Sequence, residues 1–150
     1  MKVVEGDLLK LAAEGHFDVI VHGCNCFCRM GAGIAAVIRQ RFPEAFEADL
    51  ATDAGDRGKL GTITTATTPA GLTVVNAYTQ FDTSGPVPRV DYDAVRRAFA
   101  EIKAKFAGRR IGYPKIGAGL AGGDWDQLAA IIDQALAGEN HTLVVLPQSR

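Results

Sequence analysis

Apolar positions along the chain follow two rhythms. Short apolar runs bounded by turn residues predict strands over Lys2–Glu5, Asp18–His22, Gly61–Ala66, Leu72–Ala77, Arg110–Tyr113 and Thr142–Leu146. Helical spacing predicts helices near Asp7–Glu14, Ile34–Arg41, Pro43–Thr52, Asp91–Phe106 and Asp124–Leu136. The Asp91 helix is the clearest, because Val95, Phe99, Ile102 and Phe106 recur at steps of three or four and form one apolar stripe. Pro69-Ala70-Gly71 separates the third and fourth strands and predicts a hairpin. Strands alternating with helices, with one hairpin among them, predict a three-layer α/β/α sandwich around a mixed sheet of about six strands. No repeat, low-complexity tract or linker interrupts the pattern, so residues 1–150 read as a single module. The one long irregular stretch is Gln80–Val90, and a loop of that length in a compact domain is more often functional than idle.

Length and charge narrow the classes. A chain of 150 residues buries roughly 70% of the surface its unfolded form exposes, so it folds without staples. The net charge of -1, with no basic run, argues against a nucleic-acid reader held by a positive face. No apolar run approaches the ~18 residues of a membrane span, so no membrane partner is expected. The first residues, Met1-Lys2-Val3-Val4-Glu5, lack the apolar stretch of a signal peptide. The three cysteines, Cys24, Cys26 and Cys28, are too close together to staple distant elements and suit a reducing compartment. A cytoplasmic monomer is expected.

Two glycine-rich loops carry the chemical signal. The first is Asn25-Cys26-Phe27-Cys28-Arg29-Met30-Gly31-Ala32-Gly33; the second is Lys115-Ile116-Gly117-Ala118-Gly119-Leu120-Ala121-Gly122-Gly123. Each follows a predicted strand and precedes a predicted helix. Glycine admits positive φ and lets a ligand approach main-chain N–H groups with no Cβ in the way. The first N–H groups of a helix, with its positive dipole end, favour an anion such as phosphate. Two such loops at strand ends predict two phosphates, or one diphosphate, in a crevice. The bland alternative is that the glycines only make tight turns.

Gly31, Gly33 and Ala36 formally satisfy the dinucleotide fingerprint G-x-G-x-x-A. That motif opens directly after its strand and is answered by an acid at the end of the next strand. Here about eight residues intervene between strand and Gly31, and the nearest acids, Asp49 and Asp53, fall in a helical stretch. The dinucleotide fold is rejected. A zinc site at His22, Cys24, Cys26 and Cys28 also fails on spacing. Residues two apart on a strand lie roughly 6.5–7 Å apart along it, whereas thiolates sharing a tetrahedral zinc with bonds of about 2.3 Å must lie closer. Neither a metal nor an organic cofactor is expected.

Taken together, these residues resemble the macrodomain family over essentially the whole chain. The resemblance rests on Gly6-Asp7-Leu8 after the first strand, on Asp18-Val19-Ile20-Val21-His22-Gly23-Cys24-Asn25, on Gly31-Ala32-Gly33-Ile34-Ala35, and on Ile116-Gly117-Ala118-Gly119-Leu120. Pro114 and Gly122-Gly123-Asp124-Trp125 match as well. It implies an ADP-ribose ligand: Asp7 with Leu8 at the adenine, Asn25 at the distal ribose, and the two loops around the diphosphate. ADP-ribosylated protein or nucleic acid then becomes a conceivable partner. His22-Gly23-Cys24-Asn25-Cys26 is similar to the branch that includes terminal ADP-ribose glycohydrolases, ADP-ribose 1''-phosphate phosphatases and phage-type macrodomains.

The branch residues do not all carry over. Ala35 stands where mono-ADP-ribosylhydrolases have an aspartate, and Gln80 and Ala121 stand near the lysine and aspartate of the terminal glycohydrolases. That leaves His22 and Asp124 as the candidate catalytic residues, each with a plainer role. His22 is either a group that orients water or phosphate, or a strand-end histidine bonded to backbone. Asp124 with Gln127 also forms a capping-box pattern at a helix start. Tyr78 and Phe81 either cover a ribose or base, or pack against a helix. The expected function is an ADP-ribose-binding hydrolase acting on ADP-ribose 1''-phosphate or on ADP-ribosylated macromolecules. The alternative is a non-catalytic ADP-ribose reader.

Overall fold

The computed structural model describes residues 1–147. The elements in chain order are β1 (Lys2–Glu5), α1 (Leu8–Ala13), β2 (Val19–Cys24), α2 (Gly33–Arg41), α3 (Pro43–Leu50), a 3₁₀ turn (Arg57–Lys59), β3 (Ile63–Thr67), β4 (Thr73–Tyr78), α4 (Tyr92–Phe106), β5 (Ile111–Tyr113), α5 (Trp125–Ala135) and β6 (His141–Val145). The six strands form one sheet in the order β1-β6-β5-β2-β4-β3. All pairings are parallel except β3 with β4, which form the hairpin expected from Pro69-Ala70-Gly71. The 3₁₀ turn was not foreseen. Its own cap is local, Asp56 accepting from the Gly58 N–H.

Alternation along the strands explains the two cores. Val19 and Val21 of β2, with Val75 and Ala77 of β4, face α4 and α5 and meet Val95, Phe99, Ile102, Leu128 and Ile132. Ile20 and Val74 point the other way and meet Leu8, Leu9, Ala12, Met30, Ile38 and Ala45 from α1, α2, α3 and the first glycine loop. The sheet is thus covered on both faces, which is the expected α/β/α sandwich. It also explains why β4, buried at every position, reads as a run rather than an alternation. Each fully buried Leu, Ile, Val or Phe in these layers contributes about 1.5–3 kcal/mol relative to exposure. No helix among the described residues is long and apolar enough to cross a membrane.

Connectivity decides where a crevice opens. β2 and β5 are parallel neighbours. The chain leaving β2 runs to α2 on one face of the sheet, while the chain leaving β5 runs to α5 on the other. Two loops that depart to opposite faces leave a gap beyond the carboxyl ends of their strands, the usual binding place in such sheets.

Candidate functional site

A cavity of about 670 Å³ occupies that gap, within the range of roughly 300–1,000 Å³ typical of small-molecule sites. Both glycine loops line it: Gly31, Ala32, Gly33 and Ile34 from one side, and Ile116, Gly117, Gly119 and Leu120 from the other. The remaining wall comes from the ends of β2 and β4 and from the segment after β4, including Asn25, Thr79, Gln80, Thr83 and Arg89.

The start of α2 is built differently from those of α1, α4 and α5 and, like the start of α3 at Phe42, has no side-chain cap. Asp7 caps α1 by accepting from the Leu9 and Lys10 N–H groups at 3.0 and 3.2 Å. Asp91 caps α4 through the Ala94 N–H at 2.9 Å, and Asp124 caps α5 through the Asp126 N–H at 3.0 Å. α2 has Ala32 at this position and no side-chain cap. Its first N–H groups therefore remain donors without acceptors, and they stand at the cavity wall. In the second loop the N–H groups of Gly117, Gly119, Leu120 and Ala121 donate to no acceptor among the described residues. Gly31, Gly33 and Gly119 have nothing within 4 Å of where a Cβ would stand. Gly33 also sits at φ +58, which glycine adopts at little cost. Free donors, a helix dipole and empty space at the glycines together make an anion cradle.

The first loop is held in shape by its own side chains. Asn25 Oδ1 accepts from the Phe27 N–H at 2.9 Å, and Asn25 Nδ2 donates to the Arg29 carbonyl at 2.7 Å. Asn25 lines the cavity with one amide hydrogen and one lone pair still unused. Lys59, almost wholly buried, donates from Nζ to the Cys26 carbonyl at 3.1 Å. The Cys28 thiol donates to the Asp49 carbonyl at 3.1 Å. These tethers join the loop to α3 and the 3₁₀ turn, contacts that nothing local in the sequence signals.

The two expected catalytic residues are placed elsewhere. His22 is fully buried on the α3 side of β2 and does not line the cavity. Its Nε2 lies 2.6 Å from Asn76 Oδ1, and Asn76 Nδ2 in turn donates to the Ala45 carbonyl and to Thr64 Oγ1. Burial holds its pKa down at about 4, partly offset by Asn76, so the ring is neutral at pH 7. The strand alternation that sends Val21 to one face sends His22 to the other, beneath α3 rather than into the crevice. Asp124 likewise lies outside the cavity wall, with its carboxylate on the α5 cap. The capping box is completed by a different group than expected: the Asp124 N–H donates to Tyr92 Oη at 3.0 Å, not to Gln127. Among the described residues, no Asp, Glu or His lines the cavity wall.

Asp7 and Leu8 stand at the end of β1, with β6 between them and β5. Leu8 is buried in the core while the Asp7 carboxylate faces outward at the α1 start. Tyr78 is fully buried and donates from its hydroxyl to Asp49 Oδ1 at 2.8 Å, so its role is packing. Phe81 meets Phe27 edge-on, with ring centroids 5.0 Å apart. The three thiols go to separate partners, Cys24 to His22, Cys26 to the Gln80 carbonyl and Cys28 to the Asp49 carbonyl.

A family signature described as the Macro domain matches residues 21–132, spanning both glycine loops. The chain belongs to the macrodomain family. A 17.5 kDa uncharacterized protein of Enterobacteria phage T4, from the tk-vs intergenic region, is 38% identical over 143 residues, covering 89% of this chain and 88% of its own. A crystal structure of a Bacteroides thetaiotaomicron protein superposes with a TM-score of 0.82 at 25% identity, over 97% of this macrodomain and 99% of that chain. The structure of Thermosipho africanus DarTG in complex with ADP-ribose shares the fold, with a TM-score of 0.73 at 12% identity, over all of this chain and 43% of that one.

Proposed function

We propose that this macrodomain binds ADP-ribose and hydrolyses derivatives substituted on the distal ribose, ADP-ribose 1''-phosphate or ADP-ribosylated macromolecules. The observation that carries the binding is the pairing of two donor-rich loops across β2 and β5, with α2 left uncapped beside them. The diphosphate sits between the loops. Adjacent strands are about 4.8 Å apart, so Asp7 lies two strand spacings, roughly 10 Å, from β5, a distance a nucleoside spans. The adenosine half therefore runs toward β1 and the distal ribose toward β4, where Asn25, Gln80 and Arg89 line the wall. The ADP-ribose held by the DarTG structure supports the ligand class.

A wall without acid or histidine leaves no carboxylate or imidazole to act as general base. Hydrolysis then rests on orientation, with the diphosphate clamped and a water positioned at the distal ribose by Asn25 and the loop amides. The same observation favours a second reading, a reader that binds ADP-ribose on a partner and leaves it intact. Calorimetry with ADP-ribose beside a product assay separates the two. Binding with release of phosphate or ADP-ribose supports the hydrolase; binding with no release from the phosphate ester, ADP-ribosylated protein or ADP-ribosylated DNA supports the reader. No heat and no thermal shift at millimolar ADP-ribose overturn both.

A further inference from the structure

We propose that Lys59 is a positioning residue for the crevice: from behind the first glycine loop its ammonium pins the Cys26–Phe27 peptide, and through that peptide it holds the Asn25 carboxamide at the cavity wall. The effect on ligand rests on the ADP-ribose reading; the effect on Asn25 does not.

Lys59 is the only lysine or arginine that the fold buries among the described residues, at 6% exposure. It ends the 3₁₀ turn between α3 and β3 and lines no part of the cavity. Burying an ammonium is costly unless an anion answers it, and Lys59 forms no salt bridge among the described residues. Asp49, the buried carboxyl group beneath the same loop, takes the Tyr78 hydroxyl instead. Around Nζ stand the Cys26 carbonyl at 3.1 Å, Cys28 Sγ at 3.5 Å and the Tyr78 ring, 4.8 Å to its centroid. A methionine is about as long, adapts to irregular gaps and has no charge to desolvate. Packing alone therefore does not explain a lysine here.

The Cys26 carbonyl is where that charge acts. A trans peptide sends its C=O and the next N–H in opposite directions. On one side the Cys26 oxygen accepts from Lys59 Nζ and from the Gly55 N–H at 2.7 Å; on the other the Phe27 N–H donates to Asn25 Oδ1 at 2.9 Å. A charge-assisted bond at the carbonyl polarises the peptide and strengthens the bond that its N–H makes. Asn25 Nδ2 is engaged as well, by the Arg29 carbonyl at 2.7 Å. The carboxamide then has one orientation, because a flip would set donor against donor and acceptor against acceptor. Asn25 thus meets the crevice with a fixed pattern of one free N–H and one free lone pair.

The test uses the whole chain with Lys59→Met, Lys59→Gln, Asn25→Ala, and Lys59→Met combined with Asn25→Ala. Hydrogen exchange followed by NMR on the ligand-free proteins reads the peptide directly. Lys59→Met is expected to speed exchange of the Phe27 amide about 10-fold while the β4 amides of Val74 and Val75 exchange as in wild type. Lys59→Gln, which keeps a neutral donor, is expected to fall between the two. Calorimetry is expected to show ADP-ribose binding about 10-fold weaker in Lys59→Met, but changed by less than about twofold when the same substitution is made in Asn25→Ala. Phe27 exchange that is unchanged, or that rises together with exchange in β4, overturns the proposal, since the lysine would then serve the core alone. Failure of both Lys59 variants to fold overturns it for the same reason. An unchanged affinity in Lys59→Met, or an equal loss with and without Asn25, also overturns it, because the charge would then act on the anion directly or not at all. Wild type that binds no ADP-ribose overturns the proposed function, and the exchange rates still decide whether Lys59 positions Asn25.

Discussion

The start of α2 and the starts of α1, α4 and α5 solve the same problem in opposite ways. Every helix begins with N–H groups that have no partner within the helix. At α1, α4 and α5 an aspartate folds back and accepts from them. At α2 the capping position is Ala32, which has nothing to offer. A carboxylate there would satisfy the same donors and repel the anion that the proposed function places there. The interior repeats the contrast. His22, Asn76, Thr64, Tyr78 and Asp49 form a chain of buried hydrogen bonds beneath α3, while a few ångströms along β2 the loop donors are left open. That chain is satisfied within the protein except at Asp49 Oδ2, which is buried without a partner among the described residues; the open loop donors belong to residues that line the crevice.

The largest effect should come from filling the cradle. Gly119→Val places a side chain where nothing stands within 4 Å, at a glycine without positive φ, so the protein should fold while ADP-ribose affinity falls more than about 100-fold, on the order of 2.7 kcal/mol or beyond. Gly33→Val should do the same with some loss of stability, because φ is +58 there. Calorimetry on variants verified by circular dichroism checks both. Normal binding by a folded Gly119→Val protein would show that the second loop holds no phosphate.

The self-satisfied side of the comparison is tested by pH. The folded pKa of His22 is held at about 4, below its ordinary 6.5, by burial. The unfolded chain therefore takes up the proton first as pH falls. The stability due to the neutral ring is complete above about pH 6.5 and is lost progressively toward pH 4. Between pH 6.5 and 5 the loss is about 2 kcal/mol, at roughly 1.4 kcal/mol per unit. His22→Gln removes this titration, so the stability gap between wild type and variant should shift by about that amount in denaturant melts. The lowered pKa of His141 is common to both proteins and cancels. A gap that is flat with pH would mean that His22 is not buried as described.

Much of this was legible in the sequence, for local reasons. The stripe Val95, Phe99, Ile102 and Phe106 is a property of one helix, and the predicted Asp91–Phe106 differs from the observed Tyr92–Phe106 only by its cap. The third strand starts later than expected, at Ile63, because the Thr62 N–H and hydroxyl both turn back to the Lys59 carbonyl. The glycine loops were legible because empty space and positive φ leave a residue-type signature. His22 was not, because which face of β2 it takes, and that α3 closes over it, depend on partners 23 to 54 residues away, Ala45 and Asn76. The tie between the segment after β4 and the second loop was hidden for the same reason: Arg89 bonds to the Leu120 and Ala121 carbonyls, 31 and 32 residues further along.

Capping α2 deliberately should move stability and binding in opposite directions. Ala32→Asp gives the orphan N–H groups an internal acceptor. Replacing alanine by aspartate at a helix cap is worth about 1 kcal/mol of stability. The same carboxylate occupies the donors and adds negative charge to the anion cradle, so ADP-ribose affinity should fall about 10-fold, near 1.4 kcal/mol. A melting temperature that rises while affinity drops fits the contrast. An affinity unchanged in the stabilised protein would show that the α2 start takes no part in binding.

The smallest effect is expected at Asp124, where the geometry separates a cap from chemistry. Its carboxylate accepts from the Asp126 N–H, its backbone N–H is engaged by Tyr92, and neither group reaches the cavity wall. Asparagine keeps an oxygen that can accept the same bond and ranks with aspartate as a cap, so Asp124→Asn should change stability by only a few tenths of a kcal/mol. What it loses is the negative charge near the dipole of α5, a contribution of about 0.3–1 kcal/mol at low salt that salt screens. A residue that moves a proton in the reaction contributes about 10²–10⁴-fold to rate, and nothing places Asp124 in that role. Turnover of Asp124→Asn should therefore stay within about twofold of wild type, far below that range. Asp124→Ala, which removes the cap altogether, should cost about 1 kcal/mol with turnover per folded molecule again unchanged. A rate loss of a hundredfold or more in a stable Asp124→Asn protein would restore Asp124 to the chemistry and require the second loop to move it into the crevice when ligand binds.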